Sequence, residues 1–266
     1  KLYFLKNLNM LIKELNLEEA SKAFNYIEKK AIIPSSFCPA IVSIDCENRD
    51  QGAIPKFIFF ESGKDVMLYS FIFTPISIDS FEAYYDIQSP YGYGGPIATT
   101  SSPDFWIEAK LEFNKWAKEN RVVVEFLRFH PITNNDCFQY WIDDKSYLKK
   151  NRETISIDLK LQSFIPLMRR RFRTYVRKWE AYPENTFSIF QNPSEDQIAF
   201  FISIYNKHMR YLNASKNYFF SDQYLKSIMS LENASLCFVN INYVPKASII
   251  IFNNGNLVEY FLGCLS

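Results

Sequence analysis

The chain has 266 residues, 48% of them hydrophobic and 22% charged, with a net charge of +1. It is long enough for one large domain or two ordinary ones, and too apolar and glycine-poor for a disordered, linker-like or collagen-like chain. The near-neutral balance excludes a global basic field for DNA, so any polyanion contact must come from a local patch.

Residues 17–30 have helical spacing, with Leu17, Ala20, Phe24 and Ile27 on one face. Residues 39–45 read as a short strand. Residues 56–61 and 66–74 form a hairpin pattern around Ser62-Gly63-Lys64-Asp65. Residues 81–87 read as a further strand, running into Gln88-Ser-Pro-Tyr-Gly-Tyr-Gly-Gly-Pro96. A helix follows, with Ser102 as cap, Pro103 in its first turn and Phe105, Ala109, Phe113 and Trp116 as its apolar stripe. Residues 121–129 form a β-branched strand, and 138–141 and 154–159 are expected as strands. Beyond them come a helix over 165–181, a strand over 187–190 and a helix over 195–210 entered at Pro193. A shorter helix over 222–231 and strands over 234–241, 246–252 and 257–262 complete the pattern. Asn253-Asn-Gly-Asn256 turns the last hairpin. Helices mixed with mostly antiparallel strands define an α+β class, divided here into lobes 1–156 and 157–266.

Cys38, Cys46, Cys137, Cys237 and Cys264 are odd in number, scattered and without a C-x-x-C. They fit buried thiols in a reducing, cytoplasmic setting. Asn213 and Asn233 head glycosylation-type triplets that read as chance matches in such a setting. No apolar stretch is long enough to span a bilayer, although peripheral contact with a membrane stays open. The chain starts at Lys1 and stops on the apolar residues 261–266, so further residues are expected to follow. Two distant histidines, His130 and His208, give no metal-ligand spacing. No nucleophile elbow, kinase motif set or phosphate loop occurs.

Three clusters carry chemistry. In the first, Gly92, Gly94 and Gly95 supply three of only seven glycines. They are interleaved with Tyr91 and Tyr93. Glycine permits positive φ and close approach, so the loop reads either as a ligand-facing backbone or as a tight turn plugged by aromatics. The second is Glu125-Phe-Leu-Arg-Phe-His-Pro-Ile132. Strand alternation puts Glu125, Leu127 and Phe129 on one face and Phe126, Arg128 and His130 on the other. An Arg-carboxylate pair with a histidine closing the strand is the plain alternative. The third, 169–178, holds six basic side chains and no acid. Arg170, Arg173 and Arg177 share a helical face, suited to a phosphate or an RNA backbone, or to plain solvation.

In order along the chain, the Tyr-Gly-Tyr-Gly-Gly-Pro loop, the Glu-Phe-Leu-Arg-Phe-His-Pro strand and the Arg-Arg-x-Phe-Arg helix resemble GNAT-superfamily acyltransferases. The subgroup is the one related to the Fem-type peptidoglycan bridge aminoacyltransferases. Tyr205-Asn-Lys-His-Met209 and Tyr218-Phe-Phe220 resemble further motifs of that subgroup. The resemblance covers roughly residues 80–265. It implies two GNAT-like lobes with a cleft between them, the second without its final donor-binding segment. It implies acyl transfer to an amine in cell-envelope biogenesis, by direct attack on a thioester or an aminoacyl-tRNA ester. Acetyl-CoA or another acyl-CoA is the expected co-substrate, with no metal, and tRNA is the alternative donor. A non-catalytic binding module on the same fold is a third reading. The acceptor is expected to be a phosphorylated or lipid-linked amino sugar. By position, Tyr91, Gly92, Tyr93, Gly94 and Gly95 would line the acceptor site together with Arg128. Arg173 and Arg177 would hold phosphate, Tyr211 and Tyr218 would be cleft tyrosines that bind substrate, and His130 would serve as general base.

Overall fold

The computed structural model describes residues 10–49, 52–76, 84–132, 135–143, 146–150, 153–161 and 163–266. The chain divides into two units: Lys1–Leu148 with Asn254–Leu257, and Lys149–Asn253 with Val258–Ser266.

The first unit opens with β1 (Leu11–Glu14) and α1 (Leu17–Glu28). Asn16 and Glu19 form a reciprocal capping box at the start of α1, which satisfies two of its unpaired N–H groups. A 3-10 turn leads into α2 (Pro39–Glu47). The expected strand over 39–45 is therefore a helix. Its apolar residues point all round because it is largely buried, and β-branched Ile41, Val42 and Ile44 imitate a strand.

The hairpin of β2 (Ile54–Ser62) and β3 (Asp65–Ile76) is as expected. After β4 (Tyr84–Gln88) and β5 (Gly95–Ala98) come α3 (Pro103–Glu119), β6 (Val122–Phe126) and α4 (Asn135–Phe138). The start of the strand expected over 81–87 lies outside the described residues. The strand expected over 121–129 ends at Phe126. The strand expected over 138–141 is a helix end and turn, with the Trp141 N–H donating to the Phe138 carbonyl. Ser102 stands at the cap of α3, but its side chain makes no cap hydrogen bond.

Among the described residues the sheet order is β1-β2-β3-β4-β6, with β5 also on β3. Strand β3 is covered on both faces and therefore reads as a nearly continuous apolar run. Met67, Tyr69, Phe71 and Phe73 pack with Phe105, Trp106, Phe113 and Trp141, while Val66, Leu68 and Ile72 pack with Phe24, Ile27 and Val42. One edge of β3 is shared. Residues 72–76 pair with β4, and 67–70 pair with β5. The chain must leave and rejoin the same edge through residues 89–94, and this places the glycine-rich loop. Strand β6 lies parallel to β4, with α3 in the connection between them.

The second unit carries α5 (Arg170–Glu180), β7 (Thr186–Phe190), α6 (Glu195–Tyr211), α7 (Asp222–Met229), β8 (Ala234–Ile241), β9 (Val244–Asn253) and β10 (Val258–Leu265). Its antiparallel sheet has the order β10-β9-β8-β7. Residues 154–159 alternate like a strand but form none. Ile155 is 90% exposed, and among the described residues no neighbouring strand supplies a ladder. Ser194, not Pro193, caps α6, in a capping box with Gln197. The helix expected over 165–181 starts only at Arg170, after a 3-10 turn at Ile165–Leu167. Ile198, Phe201, Ile202, Tyr205 and Met209 of α6 are buried. Tyr205 and Met209, part of the motif resemblance, are thus core residues.

Candidate functional site

In the first unit the loop 89–95 is tied down by its own chain. The Ser89 N–H donates to the Phe126 carbonyl at 3.1 Å, and the Gly94 N–H to the Arg128 carbonyl at 2.9 Å. The Arg128 N–H donates to Ser89 Oγ at 3.0 Å, and its guanidinium reaches the Gly92 carbonyl at 3.3 Å. Residues beyond β6 thus continue its pairing along the loop, which brings Gly92, Gly94, Arg128 and His130 together.

Gly94 and Gly95 serve intramolecular packing. A Cβ on Gly94 would stand 2.9 Å from Ser89 Oγ and 3.0 Å from Pro90 Cδ. Gly95 has φ +126°, in the region that favours glycine, and a Cβ there would meet the Phe129 ring at 3.4 Å. Gly95→Ala is expected to destabilise the first unit by about 1–3 kcal/mol, read as a lower urea midpoint at an unchanged slope.

Tyr91 and Tyr93 are half-buried. The Tyr91 N–H donates to Asp45 Oδ2 at 3.1 Å. Asp45 is a buried carboxylate on α2 that also receives Arg49 at 3.3 Å, and Arg49 in turn holds Gln88 at 2.8 Å. Sequence reading passed over Asp45. The signal was available: an acid following an apolar run, with an arginine four residues on. Asp45→Asn should loosen the loop, measured as faster amide exchange at Tyr91.

His130 is 4% exposed and lies edge-on to Tyr93, with centroids 4.8 Å apart. Its Nδ1 accepts the Ile132 N–H at 3.2 Å. Burial pushes the imidazole down from 6.5 to about 4, so it is neutral at pH 7. The neutral tautomer that accepts at Nδ1 carries its proton on Nε2, and the basic lone pair is already engaged. This geometry suits a side chain that positions Tyr93 better than one that removes a proton. Alternation also breaks down here: Arg128 is exposed while His130 turns inward.

A polar cluster lies behind the loop. Glu125 accepts from Tyr69 Oη at 2.8 Å, Lys110 Nζ at 2.9 Å and Trp141 Nε1 at 3.1 Å. It ties β6 to α3 and β3 just before the chain reaches Arg128.

In the second unit Arg173 and Arg177 lie on one face of α5, as the spacing predicts. Arg173 donates to the Pro166 carbonyl at 2.9 Å, and Arg171 to the Tyr175 hydroxyl at 2.8 Å. Among the described residues, none of the basic side chains of 169–178 makes an ion pair. Tyr211, at the end of α6, is 81% exposed. Tyr218 is exposed, and its carbonyl accepts the Tyr205 hydroxyl at 2.9 Å. Among the described residues no three His, Cys, Asp or Glu side chains cluster as a metal site would require. No helix among them is long and apolar enough to cross a membrane.

The fold is thus α+β, with two sheets flanked by helices. It is similar to the fold of FemX, known from a crystal structure, with a TM-score of 0.63 over 96% of this chain and 80% of that one, at 9% sequence identity. No protein-family model matches the sequence, and no curated protein matches it.

Proposed function

We propose that this chain is a Fem-type transferase that moves an aminoacyl group from an aminoacyl-tRNA ester to an amine of a phosphorylated cell-envelope precursor. The observation that carries this reading is the likeness in fold to FemX over nearly the whole chain. The amine attacks the ester carbonyl, the new amide C–N bond forms, and the ester C–O bond breaks. The departing ribose oxygen takes up the proton lost by the amine. No covalent enzyme intermediate is needed.

In this reading the loop of Tyr91, Gly92, Tyr93, Gly94 and Gly95, with Arg128, is the substrate-facing loop of the first unit. In the second unit Arg173 and Arg177 hold the acceptor's phosphates, since guanidinium groups grip phosphate bidentately. Tyr211 and Tyr218 offer exposed hydroxyls in that second unit. His130 acts as a positioning residue behind Tyr93.

The test supplies radiolabelled aminoacyl-tRNA or acetyl-CoA together with nucleotide- and lipid-linked amino-sugar precursors. Label passing from tRNA to the precursor is expected. Release of free thiol from acetyl-CoA, with no transfer from tRNA, would replace the donor in this reading by acyl-CoA. No transfer from either would leave a binding module. Arg173→Ala and Arg177→Ala should each raise the acceptor KM roughly tenfold or more, with a smaller effect on kcat.

A further inference from the structure

We infer that residues 163–178 form a membrane-interface element that docks this protein on an anionic phospholipid surface. On α5 the side chains separate by face. Phe172, Tyr175, Val176 and Trp179 share one side, and Arg170, Arg173, Thr174, Arg177 and Lys178 the other. The inner end of the apolar side is held by its own unit, with Trp179 Nε1 donating to the Asn240 carbonyl at 3.2 Å. The outer end is not covered. No residue of α5 is buried, Phe172 is 56% exposed and Tyr175 is 50% exposed. The preceding turn adds Leu167 at 75% exposure and an open groove whose lining includes Phe164, Ile165, Met168, Val176 and Glu180.

Charge points to the partner. The span 160–179 contains seven basic residues and no acid, in a chain of net charge +1. These side chains repel one another and have no ion-pair partner among the described residues. With Arg173 and Arg177 given to the acceptor's phosphates, Lys160, Arg169, Arg170, Arg171 and Lys178 remain, and an RNA or a soluble phosphate would answer these while leaving Leu167, Phe172 and the groove in water. An apolar protein groove would cover the hydrophobic side and leave the arginines facing no anions. A leaflet of anionic lipid offers both layers at once: phosphates at the depth of the guanidinium groups, and acyl chains just beneath for the aromatic and leucine side chains. The pattern of a helix with low mean hydropathy, a strongly basic side and an aromatic side is that of an interfacial helix, not a spanning one. This inference does not depend on which acyl donor the protein uses.

The full chain is mixed with vesicles of phosphatidylglycerol and phosphatidylcholine in equal parts, or of phosphatidylcholine alone, and floated on a density gradient. Binding at least a hundredfold stronger to the anionic vesicles is expected, weakening as salt rises. Arg170→Gln with Arg171→Gln should reduce it about fivefold per residue removed. Leu167→Ser with Phe172→Ser, which leaves the charge unchanged, should reduce it at least tenfold. All four positions are exposed, so both double variants should keep the parent Tm and circular dichroism. Tyr175→Ser replaces the apolar double variant should that one melt early. Equal binding to both vesicle types, or none to either, overturns the inference. So does binding that falls with the arginine pair but is indifferent to the apolar pair, since that describes a solvated polyanion patch.

Discussion

Replacing Glu125 by leucine should destabilise the first unit by about 3 kcal/mol, and replacing Lys110 by methionine should cost a similar amount. The two groups face each other at 2.9 Å, mostly shielded from water, with the Lys110 ammonium over the rings of Trp141 and Phe113 at 4.9 and 5.2 Å. Glu125→Leu strands this ammonium and also removes the acceptor of the Tyr69 hydroxyl and the Trp141 N–H. Lys110→Met leaves the carboxylate with two neutral donors in apolar surroundings. Desolvating two charges cancels much of their attraction, so removing both together restores most of the loss. The double variant should therefore cost clearly less than the sum of the singles, a coupling of at least about 2 kcal/mol by urea unfolding. Additive effects would show that the pair is not desolvated as a unit.

The second large effect is on pH dependence. His130 titrates at about 4 in the folded protein, against 6.5 for its ordinary value, and the cause is burial. Between these values the unfolded chain binds a proton that the folded one does not, so stability rises with pH across that window. Fully present above pH 6.5, the contribution is lost progressively as pH falls towards 4, up to about 3 kcal/mol in all. His130→Gln should flatten that part of the curve while lowering stability at pH 7 through lost packing against Tyr93. The check is Tm from pH 4 to 8 for both proteins. Carboxylates titrate nearby but are common to both, so the difference curve isolates His130. Parallel curves would show that the imidazole is not buried as described.

Much of this architecture is legible in local pattern. Helices α1, α3, α6 and α7 announce themselves by apolar residues three and four apart, and the β2–β3 and β9–β10 hairpins by turn residues between apolar runs. The misreadings share one cause. Residues 39–45 and 138–141 are short, mostly apolar runs, and in such a segment periodicity cannot separate a buried helix or turn from a buried strand. Residues 154–159 show the opposite failure. Their alternation is correct for a strand, but a strand exists only where another strand takes its hydrogen bonds.

At the candidate site, composition alone singled out the loop around Gly92, Gly94 and Gly95, and spacing alone placed Arg173 and Arg177 on one helical face. Those are properties of adjacent residues, carried by the conformational freedom of glycine and the 3.6-residue helical period. Only the tertiary structure decided what Gly94 and Gly95 are for. They let the loop lie against Ser89, Pro90 and Phe129, contacts set by the way β4 and β5 share one edge of β3. It also decided the environments of Asp45, Glu125 and His130. Hydrogen-bond partners and exposure at each depend on residues up to 56 positions away, as for Tyr69 on Glu125, and no local pattern carries that information.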